Sequence, residues 1–241
     1  MRVVAIIQAR MGSTRLPGKV LKDLGGETVL ARVVNRTRRA TLLDEVVVAT
    51  SVLPADDAIA RECEHLQVAC FRGDETDVLD RYYRAAQKFA ADAVVRITAD
   101  CPLIDPELVD TTMRTFLEEK ADYANNTSPR TYPRGLDAEV FTFAGLERAW
   151  REAVKPYERE HVTPYFYEHP ELFRVAYIRE EKDYSAHRWT LDTPDDLELI
   201  RAIYARLGNR GDFGWREVLA VMEREPELAA LNSHIVQKSL H

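Results

Sequence analysis

Between Gln8 and Lys19 the chain reads Gln-Ala-Arg-Met-Gly-Ser-Thr-Arg-Leu-Pro-Gly-Lys, which sets the cations Arg10, Arg15 and Lys19 among two glycines, a proline and the hydroxyls of Ser13 and Thr14. A loop of this composition cannot bury itself. Backbone N–H groups freed by glycine, beside guanidinium and ammonium heads, suit an anion with several oxygens. The preceding run, Val3-Val4-Ala5-Ile6-Ile7, reads as a buried parallel strand, so the loop sits at a strand tip. At the first strand of an α/β sheet such an anion is most simply the phosphate chain of a nucleotide. The loop is not a Walker A motif. Five residues rather than four separate Gly12 from Gly18, and Val20 stands where the magnesium-binding hydroxyl belongs. The Gly-x-Gly-x-x-Gly dinucleotide pattern is missing too.

The elements that must position this loop alternate regularly. A helix is expected over 28–40, with Val29, Leu30, Val33, Val34 and Thr37 on one face and the arginines mostly opposite. Strands are expected at 45–50, 68–71 and 93–98, with helices at 56–66 (capped by Asp56-Asp57), 78–91 and 106–119. This order predicts a parallel sheet with right-handed crossovers. The loops 8–19, 50–57, 72–77 and 98–102 then share the carboxyl edge, where open α/β sheets bind ligands. Beyond it, 122–143 reads as strands around a loop, followed by helices at 144–154 and 157–168 and strands at 173–179 and 189–191. Helices at 194–207 and 214–224 close the pattern. The expectation is a single domain over 1–241 with an inserted lobe, about 123–186, over its mouth.

The totals narrow the class. A chain of 241 residues, 46% hydrophobic and 30% charged, can bury a sizeable core as an ordinary globular protein. A net charge of -7 argues against a general nucleic-acid binder. Cys63, Cys70 and Cys101 show no Cys-x-x-Cys spacing, so neither a disulfide scaffold nor a structural zinc site is expected. The opening residues read as a strand rather than a signal peptide, and no run reaches the roughly 18 apolar residues of a membrane span. A cytoplasmic protein is the expectation.

The loop Ala-Arg-Met-Gly-Ser-Thr-Arg-Leu-Pro-Gly-Lys resembles the signature of the cytidylyltransferases that make CMP-activated acidic sugars, including those acting on 3-deoxy-manno-octulosonate and on acylneuraminates. Further matches follow in order at 46–51, 72–83, 98–104, 135–141, 159–165 and 191–198, spanning nearly the whole chain. Together they are most similar to the spore-coat-polysaccharide branch. The resemblance implies a three-layer α/β/α nucleotidyltransferase fold, use of CTP and Mg²⁺, release of pyrophosphate, an anionic small-molecule acceptor, and a homodimer. On the matching positions Arg10, Arg15 and Lys19 would hold the triphosphate, with Gln8 and Ser13 in the same nucleotide-binding loop. Asp100 and Asp192 would hold the metal. One departure stands out: Thr98-Ala99-Asp100-Cys101-Pro102 replaces the Gln-Gly-Asp-Glu-Pro usual in the octulosonate enzymes.

The chemistry asks for these residue types. Nucleotidyl transfer is mainly positioning and neutralisation of phosphate charge. Arg grips two oxygens at once, whereas Lys acts as a point charge, so Lys19 is the candidate nearest the α-phosphate. Mg²⁺ takes one or two carboxylates with phosphate and water oxygens, and Asp100 and Asp192 both follow expected strands. Asp192 also fits an ordinary helix N-cap, with Asp195 and Asp196 as helix-start charges. Asp137 and Glu139 share one strand face and could bind sugar hydroxyls or simply be solvated. His161 is a candidate for the acceptor or pyrophosphate, and Arg134, Arg159 and Arg188 are candidate anchors for an anionic acceptor. Arg72 and Asp77 could order the nucleotide, unless Asp77 only caps its helix. Cys101 lacks a paired base, and its neighbour Asp100 would raise the thiol pKa rather than activate it. Two other readings stand beside the transferase: a glycosyltransferase of related fold, and a nucleotide-sensing module without chemistry.

Overall fold

The computed structural model describes residues 1–237. The apolar runs form β1 (Val3–Gln8), β2 (Glu45–Ser51), β3 (Ala69–Gly73) and β4 (Ala93–Thr98). These lie parallel in the spatial order β3-β2-β1-β4. Their connections carry α1 (Val29–Thr37), α2 (Asp57–His65), α3 (Val78–Lys88) and, after β4, α4 (Pro106–Glu118). Three short strands, β5 (Tyr123–Asn125), β6 (Glu139–Thr142) and β7 (Val175–Tyr177), extend the same sheet to seven, ordered β3-β2-β1-β4-β6-β5-β7. β6 runs antiparallel to both β4 and β5. The remaining helices are α5 (Phe143–Glu152), α6 (Pro156–His161), α7 (Pro164–Glu168), α8 (Pro194–Arg206), α9 (Trp215–Arg224) and α10 (Glu227–Ala230).

Strand alternation splits the core in two. Val3, Ala5 and Ile7 pack under α1, α4, α8 and α9 through Leu30, Val33, Met113, Ile200 and Val218. Val4 and Ile6 face the opposite layer, where α3, α5 and α7 contribute Leu79, Tyr82, Leu146 and Phe166. Each such side chain contributes about 1.5–3 kcal/mol on burial. The result is a three-layer α/β/α fold, with residues 123–186 contributing β5 to β7 to one edge of its sheet. No helix among the described residues is long and apolar enough to cross a membrane.

Three expectations are corrected. Residues 189–191 are extended but join no ladder; an isolated bridge from Arg134 to Arg188 and the Leu191 N–H on the Asp100 carbonyl hold them. The helix expected over 157–168 breaks at Val162, whose φ is +72°, and restarts at Pro164, which cannot donate to a continuing helix. On α1, Arg32 and Arg36 are buried rather than solvated. The Arg36 guanidinium donates to the carbonyls of Ile104, Gly211 and Phe213, tying α1 to the segments before α4 and α9.

Candidate functional site

The nucleotide-binding candidate begins where β1 ends. Its loop is folded on itself: the Met11 carbonyl accepts from the N–H groups of both Ser13 (2.9 Å) and Gly18 (3.2 Å), and the Ser13 hydroxyl accepts from Leu16 N at 3.3 Å. Gly18, at φ +66°, makes the left-handed step that starts a 3₁₀ turn at Lys19–Leu21. The loop is also held from outside. Asp56, buried between β2 and α2, accepts from Met11 N at 2.7 Å and from Ser51 N at 3.2 Å. Asp56 is thus a positioning residue, not the helix cap that its neighbourhood suggested; its side chain makes no capping bond. Arg72 supports the same corner by donating to the carbonyls of Ser51 (2.9 Å) and Leu53 (3.0 Å) and pairing with Asp57 (2.7 Å).

Lys19 is the centre of the site. Its ammonium lies 2.8 Å from Asp100 Oδ2, 2.8 Å from Asp192 Oδ1 and 2.8 Å from the Leu191 carbonyl oxygen. The backbone brings those residues together: Leu191 N donates to the Asp100 carbonyl at 2.8 Å, and Ala99 N donates to the Gln8 carbonyl at 3.0 Å. Burial opposes the Lys19 charge, yet the Asp100 and Asp192 carboxylates outweigh it and hold its pKa above the usual lysine value. Asp192 responds in the opposite sense. Burial would raise its pKa, but Lys19, Arg15 and Arg188 hold the carboxyl below the usual range. Its Oδ2 meets Arg15 at 3.1 Å and Arg188 at 3.0 Å. Thr193, not Asp192, caps α8, so the Asp192 carboxylate is spared for the site.

Arg10 is exposed at the mouth of the loop. Gln8 ends β1 with its Oε1 buried and unpartnered, a polar atom left over for a ligand. Two carboxylate oxygens and a carbonyl oxygen around one point form an all-oxygen, hard donor set of the kind Mg²⁺ takes, completed by phosphate and water. Cys101 is no nucleophile here: burial and the adjacent Asp100 push its thiol well above the usual value.

The other candidates are more dispersed. Asp137 is held by both terminal nitrogens of Arg130, at 2.5 and 2.9 Å. Arg130 was not singled out from the sequence, where nothing local marks its partner. Burial and the neighbouring Arg130 charge press on the half-buried Arg134 guanidinium, lowering its pKa and leaving it suited to an added anion. Gly135 lets this turn approach the chain before Asp192, since a Cβ there would lie 2.5 Å from the Trp189 carbonyl carbon. Glu139, expected with Asp137 on one strand face, starts β6 while Asp137 precedes it, and it is buried, paired with Arg96 on β4 and accepting from the Tyr123 hydroxyl. Asp77 caps α3 and binds Arg159, both of whose contacts to it with Nε are 3.1 Å long. His161 ends α6, which packs against α3 and α7. Arg188 faces Asp192 and Asp196.

Comparison with known proteins agrees with this geometry. A model of the family described as cytidylyltransferase matches residues 4–224. The chain is 36% identical over 234 residues to the spore coat polysaccharide biosynthesis protein SpsF of Bacillus subtilis, covering 94% of this chain and 96% of that one. It is 34% identical to a 3-deoxy-manno-octulosonate cytidylyltransferase of Anaeromyxobacter, covering 84% of each. The solved structure of a cytidylyltransferase from Leptospira borgpetersenii superposes with a TM-score of 0.92 at 34% identity, covering 99% of this chain and 100% of that one. With a cationic loop facing paired aspartates on this sheet, and matches that run almost end to end, the chain belongs to the cytidylyltransferase family.

Proposed function

We propose that this nucleotidyltransferase moves CMP from CTP to an anionic small molecule, an acidic sugar of ulosonate or nonulosonate type, with Mg²⁺ and release of pyrophosphate. The observation that carries the reading is the Lys19 ammonium set 2.8 Å from both Asp100 and Asp192. In this reading Arg10, Arg15 and Lys19 grip the triphosphate, with Gln8 and Ser13 in the same loop. Lys19 turns from the carboxylates to the α-phosphate, where charge accumulates as the acceptor oxygen bonds to phosphorus and the bond to the pyrophosphate oxygen breaks. Asp100 and Asp192 would hold Mg²⁺, which when bound supplies further neutralisation of the phosphate oxygens. Arg134 would take the acceptor's anionic group, with Asp137 and His161 around its hydroxyls and Arg72 and Asp77 ordering the nucleotide side through their loops, while the buried Glu139 holds Arg96 and Tyr123.

The octulosonate relative's name supports an acidic sugar, and SpsF supports a product bound for surface polysaccharide. A homodimer in the cytoplasm completes the reading; light scattering tests the assembly. The deciding experiment screens pyrophosphate release from four nucleoside triphosphates against acidic sugars, phosphonates and phosphorylated acids. Release with CTP, only with acceptor and divalent metal, is expected. Release with no acceptor in the panel, or binding of a UDP-sugar in place of CTP, overturns the reading.

A further inference from the structure

Behind Asp192 lies a second carboxylate that the transfer reaction does not use. Asp196 is fully buried at 0% exposure, far more than a charge at a helix start requires. Five contacts satisfy it: Arg188 Nε (2.9 Å) and Nη2 (3.1 Å), Asn232 Nδ2 (2.8 Å), and the backbone N–H groups of Asp192 and Thr193, both at 2.9 Å. Arg188 Nη2 is shared, reaching Asp192 Oδ2 at 3.0 Å, while Asn232 Nδ2 also donates to the Arg188 carbonyl at 2.9 Å. The guanidinium is therefore clamped by Asp196 through Nε and Nη2, shares Nη2 with Asp192, and donates from Nη1 to Gln237 Oε1 at 2.6 Å.

The three cations on Asp192 differ in kind. Lys19 and Arg15 belong to the loop assigned to the triphosphate and leave Asp192 when they bind phosphate. Arg188 is held by groups that touch no nucleotide. We propose that Arg188 is a positioning residue that fixes the Asp192 carboxylate for the divalent cation, and that Asp196 and Asn232 hold Arg188 in that pose. Asn232 lies beyond the residues 4–224 matched by the family model, so this support comes from a part of the chain outside that match. The inference rests on the metal-dependent reading above.

The test is Mn²⁺ binding to the full chain in the presence of CTP, followed by the electron paramagnetic resonance of free Mn²⁺, together with CTP binding measured without divalent metal. Partners behind metal ligands typically contribute 10- to 100-fold to metal affinity. Asp196→Asn and Arg188→Lys should each weaken Mn²⁺ binding about 10- to 100-fold, and Asn232→Ala about threefold to tenfold, with metal-free CTP affinity within about twofold of wild type. Lysine cannot serve two carboxylates with one planar fork, which makes Arg188→Lys informative. Should Asp196→Asn fail to fold, Arg188→Lys and Asn232→Ala decide. Unchanged or tighter Mn²⁺ binding overturns the inference, as does a parallel loss of metal and nucleotide affinity, which marks a merely structural frame. If the wild-type chain with CTP binds no Mn²⁺, the metal-dependent reading itself falls.

Discussion

Residues 3–100 and residues 122–196 bring side chains to the same site by different means. In the first stretch the ladders do it: β1 and β4 are in register from Val3 with Ala93 to Gln8 with Thr98, and Asp100 follows directly from that pairing. In the second, the strands are three or four residues long, and guanidinium–carboxylate pairs take over: Arg130 with Asp137, Arg96 with Glu139, Arg188 with Asp196. A backbone ladder places a residue whatever its side chain, whereas a buried ion pair fails when either partner is lost. The nucleotide side should therefore tolerate change in its supports better than the acceptor side.

The largest expected effect breaks the comparison at its common point. Lys19→Ala removes a cation from the phosphate site and leaves the β1 ladder intact. Turnover by pyrophosphate release should fall about 10²- to 10³-fold while the circular dichroism spectrum is unchanged. Next comes Gly135→Ala, at φ +105° and against Trp189, which should cost about 3 kcal/mol in urea unfolding. Arg130→Met strands the partly exposed Asp137 and should cost about 2 kcal/mol, below the fully buried range, with a raised acceptor KM.

The smallest effect is a slope with pH. Asp137, Asp192 and Asp196 all have folded pKa values held below the usual carboxylate range, against burial, by Arg130, by Lys19 and by Arg188 respectively. Their stabilisation is complete above the unfolded pKa of about 3.9 and is lost as pH falls through the lower folded values. The urea midpoint should stay level from about pH 7 to 5 and decline only below about pH 4, less steeply in Asp196→Asn. A decline beginning near pH 6 would contradict these pairings.

The sheet's first half was legible because its signals are local: β-branched runs, turn residues and caps stand next to the elements they define. The convergence of Arg15, Lys19, Asp100 and Asp192 was legible because their motifs match a family and each stands in a loop that follows an expected strand, whereas Arg10 of the same loop is exposed. What escaped depends on partners far away in sequence. Asp56 reads locally as a cap, yet its ligand is the Met11 amide. Arg36 reads as a solvated helix charge because its acceptors, in residues 104, 211 and 213, are invisible from α1. Trp189-Thr190-Leu191 has strand composition but faces loops, so no ladder forms. Pro164 marks the break after α6 in the sequence itself, since it cannot donate to a continuing helix.

Lys19 has one ammonium and two claims on it. Carboxylates this close repel unless a cation sits between them, and Lys19 is that cation. In the proposed reading it would not serve the aspartates and a triphosphate together, so a nucleotide that drew Lys19 away would also free its place between them for a doubly charged ion. Each would thereby make room for the other, and by linkage the gain would be mutual: whatever factor CTP added to metal affinity, metal would add to CTP affinity. On that reading the enzyme would stay idle when offered either one alone.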